Sequence, residues 1–285
     1  MILFAVHISD GVLTMPWLAA GFALAALLLG LSALRVREDE VPRIAILTAA
    51  FFVSSLIHVR VGPTSMHLLL TGLVGVVLGL RAPLAIFVGL LMQAALIGHG
   101  GYSTLGVNTC VMTLPALFCY GVFRAVHHIN WIKSPIGRGL LVGIGAVVLF
   151  LSGVYGLTLM LNTPLTSIEV SAIDLANARM LDPAFLGAAF LFAGIAVIVE
   201  RQFENTPEFP LGFLIGELSV LLTVALNGIV LLMGGEQNSP MMVLGLMLAH
   251  LPIAVIEGVI LGVVVGFLVR VKPEMLGMAK PVIDA

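Results

Sequence analysis

Charged residues are scarce in this chain of 285 residues. Asp, Glu, Lys and Arg together make up 10% of it, whereas 60% is hydrophobic and the mean hydropathy is +1.16. A soluble domain carries about 25% charged residues, so this chain has too few polar side chains to cover a surface that faces water. The formal net charge of −2 is uninformative by itself, and because the sequence has no basic face we expect no nucleic-acid partner. We therefore expect an integral membrane protein.

Several chemical signatures are also missing. The two cysteines, Cys110 and Cys119, lie in one apolar stretch, which favours small buried side chains over a disulfide or a metal pair. The pattern G-x-x-x-x-G-K-[ST] is absent, which excludes ATP binding by a P-loop. No series of acidic residues follows the apolar stretches, as a proton-driven antiporter would often need. The apolar run at residues 2–6 is too short for a cleavable signal peptide, and no basic residues precede it.

Long hydrophobic runs dominate what is present. A membrane-spanning helix needs about 20 apolar residues. Runs bounded by charges, prolines or glycine clusters predict nine helices, near 13–34, 43–58, 65–80, 83–98, 106–124, 138–161, 184–200, 210–233 and 241–269. The expected fold class is all-α: a polytopic integral membrane helix bundle of about nine transmembrane helices, forming a single domain over residues 1–285.

The basic residues indicate how this bundle is oriented. If the N-terminus is outside and the helices alternate in direction, the inner loops contain eleven of the thirteen Lys and Arg residues. The outer loops then contain only Arg60 and Arg179. Because positive charge concentrates in cytoplasmic loops, we expect the N-terminus outside and the C-terminus inside. The uneven division of Lys and Arg between inner and outer loops also supports the prediction of nine helices.

This orientation places four of the seven histidines on the outer side of the membrane: His7, His58, His67 and His99. Imidazoles gathered at one mouth of a membrane protein suggest capture of a transition-metal cation. A borderline cation such as Co²⁺ or Ni²⁺ binds neutral imidazole nitrogen well.

Two of these histidines lie in short polar motifs. The first motif is His7-Ile8-Ser9-Asp10-Gly11, and Asp10 is the one carboxylate near the outer histidines. A histidine directly after a free N-terminal residue is a strong chelator of Ni²⁺ or Cu²⁺, but His7 is six residues in, so a solvated tail histidine is the alternative. In the second motif, residues 61–68, Gly-Pro predicts a turn and Thr64 or Ser65 a helix cap. His67 is then expected in the first helical turn, as a metal ligand or as a capping residue.

The remaining two motifs contain His99 and His250. Glycines surround His99, and Asn108 is expected to begin the next helix and to hydrogen-bond a ligand imidazole; a glycine-rich turn without chemistry is the alternative. His250 and Glu257 are seven residues apart and share one helical face, with Glu217 as a possible companion. Ionisable groups inside a span normally face the bundle interior, where a structural role and a role in transport are equally compatible with this pattern.

Together, these four segments resemble the CbiM/NikM family, the substrate-binding membrane components of energy-coupling-factor transporters for cobalt and nickel. The family begins M-H-I-x-[DE]-G, which the chain matches from His7 onward. It also has G-[GP]-T-S-x-H-L, matched at residues 62–68, and H/D-G-G-x-x-x-L-G-x-N, matched at residues 99–108. A fourth motif, H-x-P-x-x-x-x-E-G, is matched from His250 to Gly258.

The resemblance implies a ligand set and a domain plan. In the family, the N-terminal amine, the next histidine and the histidine of T-S-x-H bind the metal. Carried over, the ligands are His7 and His67, while His99, Asn108, Asp10 and Ser65 are further candidates to line the site. The family core is expected in 1–128 and 241–268, and an insertion of two helices, added to the usual core of about seven, in 138–208.

One departure concerns the start of the chain. In the family the histidine is residue 2, so that it can bind a metal together with the N-terminal amine. Residues 1–6 of this chain separate His7 from the amine and should prevent that chelate. Initiation at Val6 would restore the family terminus, and N-terminal sequencing of the natural protein tests this. With the six residues in place, another donor such as His58 or His99 must replace the amine.

The resemblance further implies a high-affinity capture subunit for Co²⁺ or Ni²⁺ that is not an enzyme and holds no permanent cofactor. The expected partners are a coupling subunit like CbiQ/NikQ, ATPase subunits like CbiO/NikO and a small subunit like CbiN/NikN, in the plasma membrane of a bacterium or archaeon. The alternatives are a stand-alone secondary transporter or channel for a divalent cation, and a membrane enzyme with a di-metal site. The enzyme would need several carboxylates near the histidines.

Overall fold

The computed structural model describes residues 4–5, 7–61, 64–162, 170–202, 208–235 and 240–278. Within these ranges the chain is built almost entirely of helices, which agrees with the predicted class. The α-helices are α1 Met15–Ala33, α2 Val41–Ser54, α3 Thr71–Leu78, α4 Ala82–Ile97, α5 Leu105–Val126, α6 Asn130–Lys133, α7 Pro135–Asn162, α8 Val170–Met180, α9 Pro183–Arg201, α10 Phe209–Gly234, α11 Pro240–Ala249 and α12 Leu251–Val271.

A small sheet interrupts this helical pattern at one end of the molecule. Its strands are β1 Phe4–Ala5, β2 His58–Val61 and β3 Thr64–His67, in the spatial order β1-β3-β2. β1 is parallel to β3 and β2 is antiparallel to it, with His58 opposite His67. The sheet brings the N-terminal segment alongside the T-S-x-H motif.

The prediction that His67 lies in a helix is therefore wrong, because His67 ends β3. The predicted spans near 43–58 and 65–80 combine a helix with a strand: α2 is 14 residues long and α3 is eight. The physical reason is local composition, since the hairpin sequence contains β-branched Val59, Val61 and Thr64, which favour extended backbone. Hydropathy does not distinguish such a strand from a helix.

In the described part of the chain, seven helical segments are long and apolar enough to cross a membrane. One of them, Thr71–Ile97, consists of α3, a short 3-10 turn at Gly79–Arg81 and α4. Its two flanking histidines nevertheless touch, because His67 Nε2 lies 3.1 Å from His99 Nε2. α3 and α4 must therefore run in opposite directions, with the reversal at the Gly79–Arg81 turn.

That reversal lies at the far end of α1 from the histidines. The Arg81 guanidinium donates to the carbonyl oxygens of Ser32, Leu34 and Arg35, at the C-terminal end of α1. α1 has 19 residues, about 28 Å of helix, which is close to the thickness of the hydrocarbon core. The molecule thus has a histidine end and an arginine end, the latter lined by Arg35, Arg43, Arg81 and Arg124.

Two further predicted segments differ from the structure. The segment 162–183, which lies between two predicted spans, contains α8. The predicted span 241–269 is divided into α11 and α12 at His250, the residue that precedes α12. Pro252 lies in the first turn of α12, where its missing N–H prevents α11 from continuing through the bend. Gly216 and Gly258 allow the backbones of α10 and α12 to approach closely: a Cβ added at Gly216 would lie 2.7 Å from the carbonyl oxygen of Glu257.

Candidate metal centre

Three imidazoles that are distant in sequence converge at the histidine end. One ring nitrogen from each of His7, His67 and His99 lies within 4.8 Å of the others. The three ring centroids are 4.8 to 5.0 Å apart. Two nitrogen ligands of a tetrahedral metal, each about 2.1 Å from the ion, are about 3.4 Å apart. Small rotations of the rings would therefore place three nitrogens around one cation.

His7 is the most enclosed member of this histidine cluster. Its side chain is 1% exposed, and among the described residues neither of its ring nitrogens has a hydrogen-bond partner. Burial, together with the neighbouring imidazoles of His67, His99 and His250, lowers the pKa of His7 well below its ordinary value. The ring is therefore neutral at neutral pH and offers a lone pair, as a metal ligand must.

The hydrogen bonds of His67 fix which nitrogen it offers. Its Nδ1 lies 2.8 Å from the carbonyl oxygen of Leu68. A carbonyl only accepts, so Nδ1 carries the proton and Nε2 carries the lone pair that faces His99. Donation of the second ring nitrogen to a backbone carbonyl is the usual arrangement of a metal-ligating histidine.

The backbone that follows His67 is bound to α12. Glu257 accepts hydrogen bonds from the backbone N–H groups of Leu69 and Leu70 through one carboxylate oxygen. Leu70 has a positive φ of 52°, which carries the chain from β3 into α3. The position of His67 therefore depends on a residue 190 positions later in the sequence.

The backbone that follows His7 is bound to α5. Asn108 accepts from the Ile8 N–H and donates to the Ile8 carbonyl, both at 2.9 Å. The Thr104 hydroxyl donates to the same carbonyl at 2.6 Å. Asn108 thus contacts the peptide next to the candidate ligand, whereas we had expected it to contact an imidazole.

His99 lies at the end of α4, in the glycine-rich loop. Its backbone N–H donates to the Gln93 carbonyl at 3.1 Å, while Gly98 and Gly100 take positive φ angles of 61° and 80° that favour glycine. Gly100 lies directly against His7, so that an added Cβ would be 3.4 Å from the His7 Cβ. The glycines let the loop carry His99 close to the N-terminal segment.

Asp10 joins the N-terminal segment to this loop. It accepts hydrogen bonds from the Tyr102 N–H and from both the N–H and the hydroxyl of Ser103. Burial would raise the pKa of Asp10, but the hydrogen bonds from Ser103, Tyr102 and Thr104 outweigh this and hold that pKa below its ordinary value. Asp10 therefore remains ionised and is occupied with backbone donors, outside the histidine cluster.

The remaining predicted residues are placed as follows. His250 is buried where α11 meets α12, and Glu257 supports the segment after His67. Glu217 lines an apolar cavity between α7, α9, α10 and α12. The side chains of Ser65 and His58 lie outside what the structure describes. The sequence analysis did not identify Thr104, which donates to the Ile8 carbonyl. Its position in the glycine-rich loop, one turn before Asn108, could have indicated this role.

The chain is similar to known metal transport proteins. Two segments of the chain, 7–191 and 176–275, match the family model CbiM, described as "Cobalt uptake substrate-specific transmembrane region". A "Putative metal transport protein" from Haemophilus influenzae is 40% identical over 147 residues, 52% of this chain and 70% of that protein. A "Cobalt transport protein CbiM" from Geobacter sulfurreducens is 30% identical over 233 residues, 78% of this chain. The match spans 60% of the length of the Geobacter protein.

Solved structures have the same fold. A structure titled as that of a transition metal transporter covers 94% of both chains with a TM-score of 0.55 at 20% identity. A truncated transition metal transporter covers 94% of this chain and 98% of its own, with a TM-score of 0.51 at 19% identity. The family model extends over most of the sequence and includes all three clustered histidines, and the chain therefore belongs to the CbiM family of cobalt uptake substrate-specific transmembrane regions.

Proposed function

We propose that this chain is the metal-binding membrane subunit of an importer for Co²⁺ or Ni²⁺, and that it captures the ion at the outer face through His7, His67 and His99. The observation that carries the proposal is the convergence of three ring nitrogens within 4.8 Å. Family membership and the name of the Geobacter relative support cobalt as a substrate. The name of an Archaeoglobus fulgidus relative, "Putative fused nickel transport protein NikMN", supports nickel.

The donor set supports a transition metal over Mg²⁺ or Ca²⁺. Hard cations require several oxygen ligands, whereas the histidine cluster offers imidazole nitrogens and the nearby carboxylate of Asp10 is bound to loop N–H groups. Neutral imidazole suits borderline cations, whose affinities rise along the series from Mn²⁺ to Cu²⁺.

The distribution of charge supports capture from outside. The histidine end and the arginine end are separated by the full length of α1, and Arg35, Arg43, Arg81 and Arg124 lie at the latter. Since arginine concentrates on the cytoplasmic side, the histidine cluster would face the exterior of a plasma membrane.

The energy for uptake would come from other subunits. The chain lacks a P-loop, so we propose ATPase subunits like CbiO/NikO, a coupling subunit like CbiQ/NikQ and a small CbiN/NikN-like subunit, the last suggested by the fused NikMN relative. The description of the family as a substrate-specific region favours such a divided importer over a stand-alone transporter or channel.

Titration of the purified full-length protein with Co²⁺ and with Ni²⁺ tests the binding step. Removing a metal-ligating imidazole should cost more than the 10- to 100-fold associated with a supporting residue, so His67→Ala should weaken binding by at least about 100-fold. His128→Ala is the matched control, because His128 is exposed and lies outside the cluster. Equal affinity of His67→Ala and the control would contradict the proposed site.

Uptake by cells tests whether separate ATPase and coupling subunits drive import. Cells that express this chain with its neighbouring ATPase and coupling genes should accumulate Co²⁺ or Ni²⁺, and deletion of the ATPase genes should abolish accumulation. Undiminished uptake after that deletion would indicate a stand-alone transporter.

A further inference from the structure

A fourth imidazole, His250, lies buried near the histidine cluster. Its side chain is 0% exposed. Its Nδ1 lies 2.7 Å from the Leu246 carbonyl oxygen, to which it donates. Its Nε2 is also buried, and it has no hydrogen-bond partner among the residues that the structure describes. A buried polar atom without a partner is costly, so binding of a ligand to this nitrogen would remove that cost.

His250 has the same local arrangement as His67. In each residue Nδ1 donates to a backbone carbonyl, that of Leu246 or of Leu68, which leaves the lone pair on Nε2. This is the arrangement that orients histidines for metal binding. The other described buried ring nitrogens without a hydrogen-bond partner are those of His7.

Packing places His250 beside the other three rings. Leu246 and Ile253, on either side of it, belong to the same buried apolar cluster as Ile8 and Met66, the chain neighbours of His7 and His67. α11, which ends at the residue before His250, packs against β3.

We propose that His250 is a fourth metal ligand, whose Nε2 joins His7, His67 and His99 around the captured ion. This rests on the proposed function and deepens it by assigning the coordination sphere. Three imidazoles leave one position of a tetrahedral site open, and the unpartnered nitrogen of His250 fills it. Nε2 of His250 lies outside the group of nitrogens within 4.8 Å, so the ion would bring the fourth ring inward.

The fourth ligand also bears on metal choice. A tetrahedral arrangement of four nitrogens suits Co²⁺, whereas Ni²⁺ and Cu²⁺ often take square-planar or tetragonal geometry. We therefore infer that this chain discriminates in favour of Co²⁺ through geometry, since all four donors are of one chemical type.

The test uses Co²⁺ alone with the purified full-length protein. X-ray absorption should count four imidazoles in the wild type, and the visible spectrum should show the intense bands of tetrahedral Co²⁺. His250→Asn is the informative variant, because its side-chain N–H can still donate to the Leu246 carbonyl while the second ring nitrogen is gone. It should count three imidazoles, shift the visible bands because water replaces the fourth imidazole, and bind Co²⁺ at least about tenfold more weakly.

A count of three imidazoles in the wild type would overturn the fourth ligand without requiring any variant to fold. An unchanged spectrum and affinity in His250→Asn would do the same. In either case, loss of binding in His67→Ala would leave the proposed function in place, whereas retained binding in both variants would end both proposals.

Discussion

Asn108 binds both backbone polar groups of a single residue, Ile8. Its amide oxygen accepts the Ile8 N–H and its amide nitrogen donates to the Ile8 carbonyl, each at 2.9 Å. Both residues are buried. Only a carboxamide provides a donor and an acceptor in this geometry, so the residue holds the N-terminal segment, and with it His7, at a defined position on α5.

Asn108→Asp should therefore weaken metal binding although the two side chains have the same shape. The carboxylate can still accept from the Ile8 N–H but cannot donate to the carbonyl, which then faces a second acceptor. We expect Co²⁺ affinity to fall about 10- to 100-fold, as for other residues that support a metal ligand, measured by titration calorimetry. Asn162→Asp, at the end of α7, is the matched control; equal losses in the two variants would show that the Ile8 contact has no special role.

Glu257→Ala should destabilise the protein and misplace His67. The change leaves the buried N–H groups of Leu69 and Leu70 without their acceptor, at a cost of about 1–3 kcal/mol for each group. Glu257→Gln retains an acceptor oxygen and should keep most of the stability. Thermal unfolding in detergent gives the comparison, and a melting temperature for Glu257→Ala as high as that of Glu257→Gln would contradict this role.

Gly101→Ala should separate the glycine-rich loop from the N-terminal segment. A Cβ at this position would collide with the side chain and backbone nitrogen of Asp10, so one of the two segments must move. We expect weaker Co²⁺ binding and faster hydrogen exchange in residues 98–105. Gly121→Ala introduces the same methyl group on α5, where nothing lies within 4 Å, and should leave both measurements unchanged. A Gly101→Ala protein that matches this control would show that the loop does not depend on the contact.

Asp10 should make stability depend on acidic pH. Its folded pKa lies below its ordinary value, so its stabilising effect is fully present above the unfolded pKa and is lost as the pH falls through the folded pKa. Because Asp10 is exposed, we expect a contribution under about 1 kcal/mol. Melting temperatures between pH 3 and 6 should fall more steeply for the wild type than for Asp10→Asn, and parallel curves would exclude the effect.

Sequence alone predicts the helical class and several spans, and the reason lies in hydropathy. The predicted spans near 106–124, 138–161 and 184–200 agree within about three residues with α5, α7 and α9, because each is one apolar run between polar boundaries. Hydropathy did not predict the structure at 65–80, where the single helix expected is a strand followed by the short α3. The count of nine spans is not established, since seven segments qualify by length in the described chain.

The clustered histidines could be predicted from the sequence, but the residues that hold them in position could not. His7, His67 and His99 stand out because each interrupts apolar or glycine-rich sequence near the end of a span. The hydrogen bonds from Leu69 and Leu70 to Glu257 join residues nearly 190 positions apart, and no local pattern encodes such a pairing. The initiation at Val6 and the insertion over 138–208 stay predictions.

Each of the three clustered histidines is tied to a different helix. His7 is tied to α5 through Ile8, His67 to α12 through Leu69, and His99 to the end of α4 through Gln93. A relative displacement of these helices would separate the imidazoles without breaking any bond between a ligand and its own support. A neighbouring subunit that shifts α12 against α5 would thereby release the bound ion by separating its ligands, with no protonation of the donors required.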